Sequence, residues 1–446
     1  MTSSTDTGEA PTVVDRLPGT LRIYRGFAAA AAPLTPLLLS YRLKHGKEDP
    51  ARLSERRGEP NMVRPPGSLV WLHGASVGEI TAVLPLIEHI RAQGFQVLVT
   101  SGTVTSAELA QQRLPQGVIH QFVPLDAPRF VASFLEHWRP SLALFVESDL
   151  WPNLVLASAA RNIPVVLVNG RLSQRSFSRW RMIPSTIGAL LKRLDLCLAQ
   201  SQADATRFTK LGGPRVLMTG NLKLDVPAPP VDPAEFEAVK AALGGRIVFA
   251  AASTHPGEET VVIEAHQRLR QNFPSLLTII APRHPSRGLA VAEQAVAAGS
   301  KVALRSRGDK PDMETEIYVA DTVGELGLVY RLAPIVFMGG SLIGHGGQNP
   351  IEAVKLGAAI LHGPHVWNFT DIYTALDQVH GAALVSDPAK LATYIGAWLS
   401  NPAEREAVAE AGQRTVTALG GALERTVRAL DPYLNQIRLE HRSRNA

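Results

Sequence analysis

The chain has 446 residues, of which 45% are hydrophobic and 19% are charged, and its net charge is +5. This length exceeds the ~250 to 300 residues at which a single core stops growing, so we expect two domains, and the composition excludes extensive disorder. The positive charge, with an isoelectric point near 9.4, favours anionic partners such as phosphates, acidic lipid or nucleic acid. Cys197 is the only cysteine, which excludes internal disulfides and a cysteine-based metal site and indicates a reducing cytoplasm. Its apolar surroundings predict a small buried side chain.

The first 48 residues are predicted to form a tail followed by a membrane-associating segment. An apolar stretch of about 14 residues is interrupted by two prolines and flanked by five basic residues: Arg22, Arg25, Arg42, Lys44 and Lys47. It is shorter than the ~20 apolar residues of a membrane-spanning helix and lacks a clean signal-peptide cleavage site. We expect an amphipathic or half-inserted anchor on anionic lipid, the alternative being a helix packed on the body of the protein.

Beyond residue 66, short apolar runs alternate with helical patterns, which is typical of parallel βαβ units. Strands are predicted in the first half at 69–74, 96–101, 119–124, 142–147, 164–169, 195–200 and 215–220. In the second half they are predicted at 247–252, 276–281, 301–305, 316–320, 334–339, 358–362 and 382–386. Residues 402–437 have an amphipathic helical pattern, broken by Gly420 and Gly421 and by Pro432, that we expect to pack back on the first half.

This pattern predicts an α/β protein with two Rossmann-like, doubly wound domains that face each other across a cleft. The first is predicted at 49–225 and the second at 236–401, with a proline-rich linker at 226–235 and a C-terminal helical segment at 402–446. Because ligands of such sheets bind at the carboxyl ends of the strands, functional residues are expected there.

Polar motifs follow the strands of the first half: HGASVGE at 73–79, VESDLWPN at 146–153, NGRLSQRSFSRWR at 169–181 and TGNLKLD at 219–225. Ser76 and Glu79 match a capping box, in which Glu79 would only cap a helix. A carboxylate at a strand end could instead take a proton from a substrate. The helix N-terminus is expected to keep Glu79 ionised and so to make it a weaker base.

Glu147 also has two interpretations: an ion pair with an arginine of 169–181, or a carboxylate of the site. The arginines of that stretch are Arg171, Arg175, Arg179 and Arg181. They form either a solvated basic face or a site for phosphates of an acceptor.

In the second half the strand-end motifs are ASTHPGEE at 252–259, PRHPSR at 282–287, ADTVGEL at 320–326 and MGGSLIGHGGQNPIEAV at 338–354. Asn349 and Pro350 are predicted as the N-cap and first residue of a helix that offers free backbone N–H groups to a phosphate. The alternative is a loop whose glycines only turn the chain, with Glu352 completing a cap. Arg283 and His284 at a neighbouring strand end favour the phosphate site.

Several motifs are absent from the sequence. It has no P-loop, no G-x-G-x-x-G after the first strand of either half, no Asp-x-Asp, no H-E-x-x-H and no G-x-S-x-G. These absences argue against P-loop kinases, nicotinamide dehydrogenases and α/β-hydrolases, and metal-free chemistry is the simpler expectation.

In their order along the chain, these motifs resemble those of the 3-deoxy-D-manno-octulosonic acid (Kdo) transferases of lipopolysaccharide synthesis, from about Leu21 to Leu434. The resemblance implies a GT-B-type glycosyltransferase whose first domain binds a lipid A precursor and whose second binds CMP-Kdo. It further implies a place at the cytoplasmic side of the cell inner membrane, and we expect neither a cofactor nor a metal.

Carried over by motif, the resemblance implies Glu79 as general base, with Glu147 and Lys223 as its catalytic partners. The implied nucleotide contacts are Pro282, Arg283, Val323, Gly324, Glu325, Asn349, Pro350, Ile351 and Glu352. Arg171 and Arg175 are the predicted acceptor-binding residues. The chain departs from the usual pattern in having Asp149 for Glu, Gly170 for Ala and Gln348 for His, and Gln348 cannot transfer a proton.

Two other functions are considered. A different GT-B glycosyltransferase would use a UDP-sugar and a lipid-linked acceptor, and calorimetry with CMP against UDP would separate it from a Kdo transferase. A non-catalytic nucleotide- or lipid-binding protein would have little use for the carboxylates at the strand ends of the first half. A nucleic-acid partner is not expected, because the basic residues are scattered and no stacking motif lies among them.

Overall fold

The computed structural model describes residues 17–445, and within it the chain forms two compact units. The first unit comprises the chain up to Val226 together with the residues from Gly421 onward, and the second is Pro227–Gly420. The chain therefore leaves the first unit within the proline-rich stretch at 226–235 and later returns to it.

The first unit contains a seven-stranded sheet and the helices that connect its strands. Its strands are β1 Leu69–His73, β2 Gln96–Ser101, β3 Ile119–Phe122, β4 Leu142–Val146, β5 Val165–Gly170, β6 Leu196–Ala199 and β7 Val216–Met218. Its helices before the crossing are α1 Gly19–Ala31, α2 Thr35–Lys44, α3 Val77–Ala92, α4 Val104–Arg113, α5 Pro128–Trp138, α6 Pro152–Ala159, α7 Gln174–Trp180, α8 Pro184–Leu191 and α9 Gln202–Lys210.

The second unit repeats this plan. Its strands are β8 Val248–Thr254, β9 Leu277–Pro282, β10 Val302–Leu304, β11 Ile317–Val319, β12 Ile335–Met338, β13 Ala359–His362 and β14 Ala382–Leu384. Its helices are α10 Pro233–Leu243, α11 Glu258–Leu269, α12 Gly288–Ala297, α13 Leu326–Leu332, α14 Ile351–Lys355, α15 Thr370–Gln378, α16 Pro388–Ser400 and α17 Pro402–Leu419. The last helix, α18 Ala422–Asn445, lies in the first unit. All fourteen predicted strands are confirmed, as is the α/β fold.

Both sheets are entirely parallel. In both, the order in which successive strands are added reverses beside the first strand of the unit. The order is β3-β2-β1-β4-β5-β6-β7 in the first sheet and β10-β11-β9-β8-β12-β13-β14 in the second. At such a reversal the loops after two adjacent strands diverge and leave a crevice at their carboxyl ends. The crevices therefore lie after β1 and β4 in the first unit and after β8 and β12 in the second.

The strands are apolar on both faces because helices cover both sides of a doubly wound sheet. In β1, Leu69 and Trp71 pack into the core on one face, whereas Val70 and Leu72 pack into the core on the other. Cys197 lies in the first of these cores and is 1% exposed, which confirms its prediction as a buried side chain. Burial raises the pKa of its thiol to about 12.

The C-terminal helical pattern divides between the units. Residues 422–445 pack on the first unit as predicted, but α17 packs on the second, where Gly412 lies against Gly381 so closely that a Cβ on Gly381 would be 2.8 Å from the Gly412 nitrogen. The predicted break at Pro432 is wrong, because α18 continues through it. Burial of Leu430 and Leu434 on either side offsets the ~3 kcal/mol that a proline costs inside a helix.

Candidate active site

Two carboxylates flank the crevice of the first sheet. Glu79 lies in the first turn of α3, which follows β1, and Glu147 immediately follows β4. β1 and β4 are adjacent strands, paired from Val70 to His73 with Leu142 to Phe145. The strand order therefore brings together two residues that are 68 positions apart in the sequence.

Glu79 completes the predicted capping box in a modified form. Ser76 is the N-cap of α3, and its hydroxyl oxygen accepts a hydrogen bond from the Glu79 N–H at 3.4 Å. The Glu79 carboxylate accepts one hydrogen bond from the Ser76 hydroxyl and one from the Ala75 N–H, both at 2.8 Å. Gly74 leaves room for this arrangement, since a Cβ there would lie 3.3 Å from the Glu79 Cβ.

The prediction that the helix N-terminus makes Glu79 a weak base is wrong. Burial raises the pKa of Glu79 above its ordinary value, and the negative charges of Glu147 and Asp149 act in the same direction. The hydrogen bonds from Ser76 and Ala75 lower the pKa, but by less. Desolvation outweighs the cap, and Glu79 is a stronger base than an exposed glutamate.

Glu147 pairs with Lys223, and not with an arginine of 169–181 as considered from the sequence. The Lys223 Nζ lies 2.7 Å from the Glu147 Oε1, and both side chains are mostly buried. Glu147 has a left-handed backbone with φ of 61°. For a residue with a long side chain this conformation is uncommon, and such strain concentrates at functional sites.

Lys223 lies in a short 3₁₀ turn, Leu222–Leu224, that is held from two sides. The Asn169 Oδ1 accepts a hydrogen bond from the Leu222 N–H at 2.9 Å, and the Asn221 Oδ1 accepts one from the Lys223 N–H at 3.0 Å. The Asp225 carboxylate accepts hydrogen bonds from backbone N–H groups at the start of α18. The turn therefore holds Lys223 at a defined position beside Glu147.

Asp149 belongs to a second polar chain. Its Oδ2 is 3.1 Å from the Nε2 of His73, whose Nδ1 is 2.9 Å from the Thr100 hydroxyl oxygen. That oxygen also accepts a hydrogen bond from the Trp71 Nε1–H at 2.9 Å. Burial alone would raise the pKa of Asp149, but the hydrogen bond and charge of His73 outweigh it and lower the pKa. Asp149 thus remains an anion beside Glu79.

The two arginines predicted to bind the acceptor follow β5, at the edge of the first sheet where Glu147 follows β4. Arg171 directly follows β5, and its backbone N–H donates to the Glu147 carbonyl oxygen at 3.4 Å. Arg175 is exposed on α7, which Ser173 caps by accepting a hydrogen bond from the Ser176 N–H at 3.1 Å. The structure therefore places the backbone of Arg171 next to Glu147 and Arg175 four residues farther along the chain.

In the second unit, His255 connects the loops that follow β9 and β12. Its ring centroid is 6.2 Å from that of His284, which follows β9, and 3.9 Å from that of His345 in the glycine-rich loop after β12. Its Nε2 is 3.1 Å from the Gln348 Nε2. Burial and, after it, the neighbouring side chains of His345, His284, Arg283 and Arg287 together lower the pKa of His255 to about 4. His255 is therefore neutral at pH 7.

At the start of the glycine-rich loop, the N–H groups of Gly340, Ser341 and Leu342 all donate to the buried carboxylate of Glu258 at 2.7 to 3.0 Å. The helix predicted after this loop, α14, is only five residues long, and Pro350 occupies its N-cap position, where Asn349 was predicted.

Asn349 still serves the start of this helix, because its Oδ1 accepts a hydrogen bond from the Ile351 N–H at 3.1 Å. Glu352 lies in the first turn and is close enough to Tyr330 for its charge to raise the pKa of that phenol, after the larger effect of burial. The predicted nucleotide residues 349–352 therefore follow the loop as a compact turn.

The remaining predicted nucleotide residues follow β9 and β11, which are neighbours in the sheet. Pro282 ends β9, and Arg283 is exposed directly after it. Val323 and Gly324 are exposed after β11, with Gly324 at φ of 85°. Glu325 is held by Arg305 through two hydrogen bonds of 2.5 Å, which lower the pKa of Glu325.

Comparison with known proteins identifies the family. Residues 51–226 match a family described as 3-deoxy-D-manno-octulosonic-acid transferase (kdotransferase). The chain is 37% identical over 394 residues to the probable mitochondrial 3-deoxy-D-manno-octulosonic acid transferase of Arabidopsis thaliana, covering 85% of this chain and 88% of that protein. It is 33% identical over 392 residues to the 3-deoxy-D-manno-octulosonic acid transferase of Haemophilus influenzae, covering 86% of this chain and 92% of the relative. The chain belongs to the Kdo transferase family.

The chain is therefore a glycosyltransferase, and its fold agrees with this assignment. A crystal structure of a glycosyltransferase from Rickettsia africae superposes with a TM-score of 0.57 at 12% identity, covering 84% of this chain and 99% of the other. At that identity the similarity concerns the fold alone, and it confirms the GT-B architecture predicted from the sequence.

Several polar residues of this Kdo transferase were not identified as functional candidates from its sequence. In the first unit these are His73, Thr100 and Asn169, and in the second they are His255 and Glu258. All of them lie at or next to the carboxyl ends of central strands. The signal that could have found them is position, since each lies in a predicted strand or in the segment that follows one. What was lacking was the order of the strands.

Among residues 17–445 there is no group of three or more His, Cys, Asp or Glu side chains that could hold a metal ion. His255 and its two histidine neighbours, His284 and His345, are accompanied by Arg283 and Arg287, whose charges suit an anion better than a cation.

Proposed function

We propose that this Kdo transferase moves Kdo from CMP-Kdo to a lipid A precursor in lipopolysaccharide synthesis, by an inverting displacement that needs no metal. The observation that carries the proposal is Glu79: a half-buried carboxylate of raised pKa at the crevice of the first sheet, beside the Glu147–Lys223 pair. A base of this kind is what attack by a sugar hydroxyl requires.

In the proposed reaction, the hydroxyl oxygen of the acceptor forms a bond to the anomeric carbon of Kdo while the bond from that carbon to the CMP phosphate oxygen breaks. Glu79 accepts the hydroxyl proton. Lys223, held in place by Glu147, stabilises negative charge that develops on the reacting oxygens. Asp149 supports the basicity of Glu79, because its negative charge disfavours ionisation of a neighbouring carboxyl.

For the donor, we assign CMP binding to the three segments that follow β9, β11 and β12. Exposed Arg283 suits the phosphate, and the segment around Val323 and Gly324 offers backbone groups to the cytosine. Residues 349–352 complete the site. Because Glu258 occupies the N–H groups of residues 340–342, side chains such as Arg283 have to provide most of the phosphate contacts.

For the acceptor, we assign Arg171 and Arg175 to the phosphates of a lipid A precursor. Arg171 adjoins Glu147 through its backbone, and Arg175 is exposed on α7. Arginine suits this task because its planar guanidinium can donate two hydrogen bonds to one phosphate.

We further propose that α1 and α2 rest on the cytoplasmic side of the inner membrane. No helix among residues 17–445 is long and apolar enough to cross a membrane. Six large apolar side chains of these helices and the turn between them are nevertheless exposed: Ile23, Phe27, Leu34, Leu37, Leu38 and Tyr41. Basic residues lie among them, as in an interfacial anchor.

One assay tests the proposed reaction. The purified protein is incubated with CMP-Kdo, generated in place, and a lipid A precursor, and the lipid products are analysed by mass spectrometry. We expect products heavier by whole Kdo residues. Transfer from a UDP-sugar, with no transfer from CMP-Kdo, would contradict the proposal.

A further inference from the structure

Two consecutive glutamates begin α11, the helix that follows β8. Glu258 and Glu259 are both fully buried, which is rare for carboxylates. Among the described residues, the two carboxylates have one ion pair, between Glu259 and Arg287. β8 lies between β9 and β12 in the sheet. The first turn of α11 therefore lies between the loops that follow those two strands.

Glu258 organises the loop that follows β12. Its Oε1 accepts hydrogen bonds from the Ser341 and Leu342 N–H groups at 2.9 and 3.0 Å. Its Oε2 accepts hydrogen bonds from the Gly340 N–H at 2.7 Å and the His255 N–H at 3.0 Å. A carboxylate with four N–H donors is compensated for burial without a cation, and here the donors come from two separate loops.

Glu259 holds the loop that follows β9. Its Oε1 is 2.5 Å from the Arg287 Nη1 and accepts a hydrogen bond from the Thr254 hydroxyl at 3.0 Å. Arg287 ends the short 3₁₀ turn Pro285–Arg287, which directly follows Arg283 and His284. An ordinary acidic residue in a first helical turn would face solvent, whereas this one reaches inward to the adjacent loop.

We propose that Glu258 and Glu259 are positioning residues of the donor site: Glu258 fixes the loop after β12, Glu259 fixes the loop after β9, and neither touches the donor. The inference rests on the proposed donor site, since both loops contain residues assigned there to CMP. Each glutamate holds one loop, so their effects on nucleotide binding are separable.

The conservative variants Glu258→Gln and Glu259→Gln follow from the hydrogen-bond geometry. A glutamine at position 258 keeps one acceptor oxygen but turns its NH₂ group toward two backbone N–H groups. Because both sides are then donors, two hydrogen bonds are lost. A glutamine at position 259 can keep the bond from Thr254 but loses the charge that holds Arg287. Glu264→Gln is the matched control, because Glu264 is exposed on the same helix.

The test is calorimetric titration of the full-length protein with CMP and with UMP, combined with steady-state kinetics for both substrates. We expect Glu258→Gln to raise the Kd for CMP by about tenfold or more, and Glu259→Gln by a smaller factor, with Glu264→Gln equal to the wild type. The KM for CMP-Kdo should rise in parallel while the KM for the acceptor stays unchanged. A merely structural role would lower the melting temperature without this split.

Wild-type affinity for CMP in both folded variants would overturn the inference, as would an equal rise of both KM values. If Glu258→Gln does not yield folded protein, Glu259→Gln decides by the same criteria. Wild-type protein that binds UMP and not CMP would reject the proposed donor, and the two variants would then be judged by the same ratio of Kd values for UMP.

Discussion

At the scale of single residues, Glu79 has two tasks that affect its pKa in opposite ways. As a cap it accepts hydrogen bonds that favour the carboxylate, and these alone would make it a weak base. Its burial and the charges of Glu147 and Asp149 favour the protonated form more strongly. The capping contacts expected from the sequence are therefore present, and the raised pKa supports the proposed role of the same side chain as a base.

We expect Glu79→Gln to fold normally and to lose at least ~100-fold in turnover, because the amide can still accept a hydrogen bond but cannot take a proton. Loss of the cap should cost no more than ~1 kcal/mol of stability. Turnover is measured from the Kdo-bearing lipid product and stability from urea unfolding. Glu88→Gln, on the same helix, serves as the control, and a nearly wild-type turnover in Glu79→Gln would rule out the catalytic role.

The raised pKa of Glu79 also predicts how stability depends on pH. Since the folded protein binds this proton more tightly than the unfolded chain does, the stability contributed by Glu79 is fully present below the unfolded pKa and is lost as pH rises through the folded pKa. Activity should change in the opposite sense over the same range, because only the ionised form is a base. The free energy of unfolding is measured against pH for the wild type and for Glu79→Gln, and the variant should lack the pH dependence due to residue 79. A difference between the two proteins that stays constant across this pH range would argue against a raised pKa.

Arg283 permits a separate test of the donor site. Arg283→Ala should raise the Kd for CMP by about tenfold, the loss expected for a charge-assisted phosphate contact, and leave the KM for the acceptor unchanged. Arg268→Ala is the control, since Arg268 is exposed on α11. Calorimetry and steady-state kinetics measure the two quantities, and an equal loss of donor and acceptor binding would mean that the units are wrongly assigned.

At the scale of elements, the ends of central strands carry the strained backbone of the site. Positive φ angles occur at Glu147 directly after β4, at Asn169 near the end of β5 and at Ser253 near the end of β8. Strand pairing is irregular at Asn169 and Ser253. The register of β5 with β6 shifts between Leu167 and Gly170, and that of β8 with β9 shifts between Ala252 and Thr254. Such irregularities change the direction of side chains at a strand end. Here one lies at Asn169, whose side chain accepts a hydrogen bond from the turn that carries Lys223, and the other lies just before His255.

The N-terminal helices pack on the body of the protein, as one alternative considered from the sequence predicted, and they also expose apolar side chains. α1 packs on the body through buried Leu21 and through the Tyr24 hydroxyl, which donates to Asp126 at 2.8 Å. Ile23 and Phe27, spaced one turn apart, are 74% and 73% exposed. The helix is thus fixed to the protein on one side and apolar on another.

This arrangement predicts that membrane binding can be removed without unfolding the protein. The double variant Phe27→Glu and Leu37→Glu changes only exposed side chains and should abolish co-sedimentation with anionic vesicles, because two apolar contacts become negative charges. Leu439→Glu, at an exposed apolar site of α18, should bind as the wild type does. Undiminished sedimentation of the double variant would shift membrane binding to the surface around α7.

At the scale of the whole molecule, the sequence predicted elements better than their arrangement. All strands were identified because each is a short, largely apolar run, and central strands such as β1 and β8 are buried on both faces. The strand order depends on which runs pair, and no local pattern encodes that β1 lies beside β4. Glu258 was overlooked because a glutamate in a first helical turn looks ordinary until its burial and its four donors are known. The sign of the Glu79 pKa shift likewise depends on desolvation, which only the packed structure defines.

The two units differ in how they are built from the chain, and this predicts how fragments behave. Residues 227–420 form the second unit from one continuous segment, so this fragment should fold alone and bind CMP. A fragment of residues 1–226 lacks α18, whose Leu430 and Leu434 share a core with Leu72 and Ile80, and should unfold at much lower urea or aggregate. Circular dichroism and calorimetry measure both outcomes, and stable folding of the shorter fragment without α18 would refute the prediction.

The position of α18 has a consequence for biosynthesis. On the ribosome, the second unit is complete and able to fold while the first still lacks the helix that closes one face of its sheet. The half that was translated earliest is thus finished last, and until then its apolar surface near Leu222 is open to chaperones. The turn that carries Lys223 acquires its final support only when Gly421 and Leu423 emerge and their N–H groups bond to Asp225, so under the proposed mechanism activity has to wait until translation has passed the second unit.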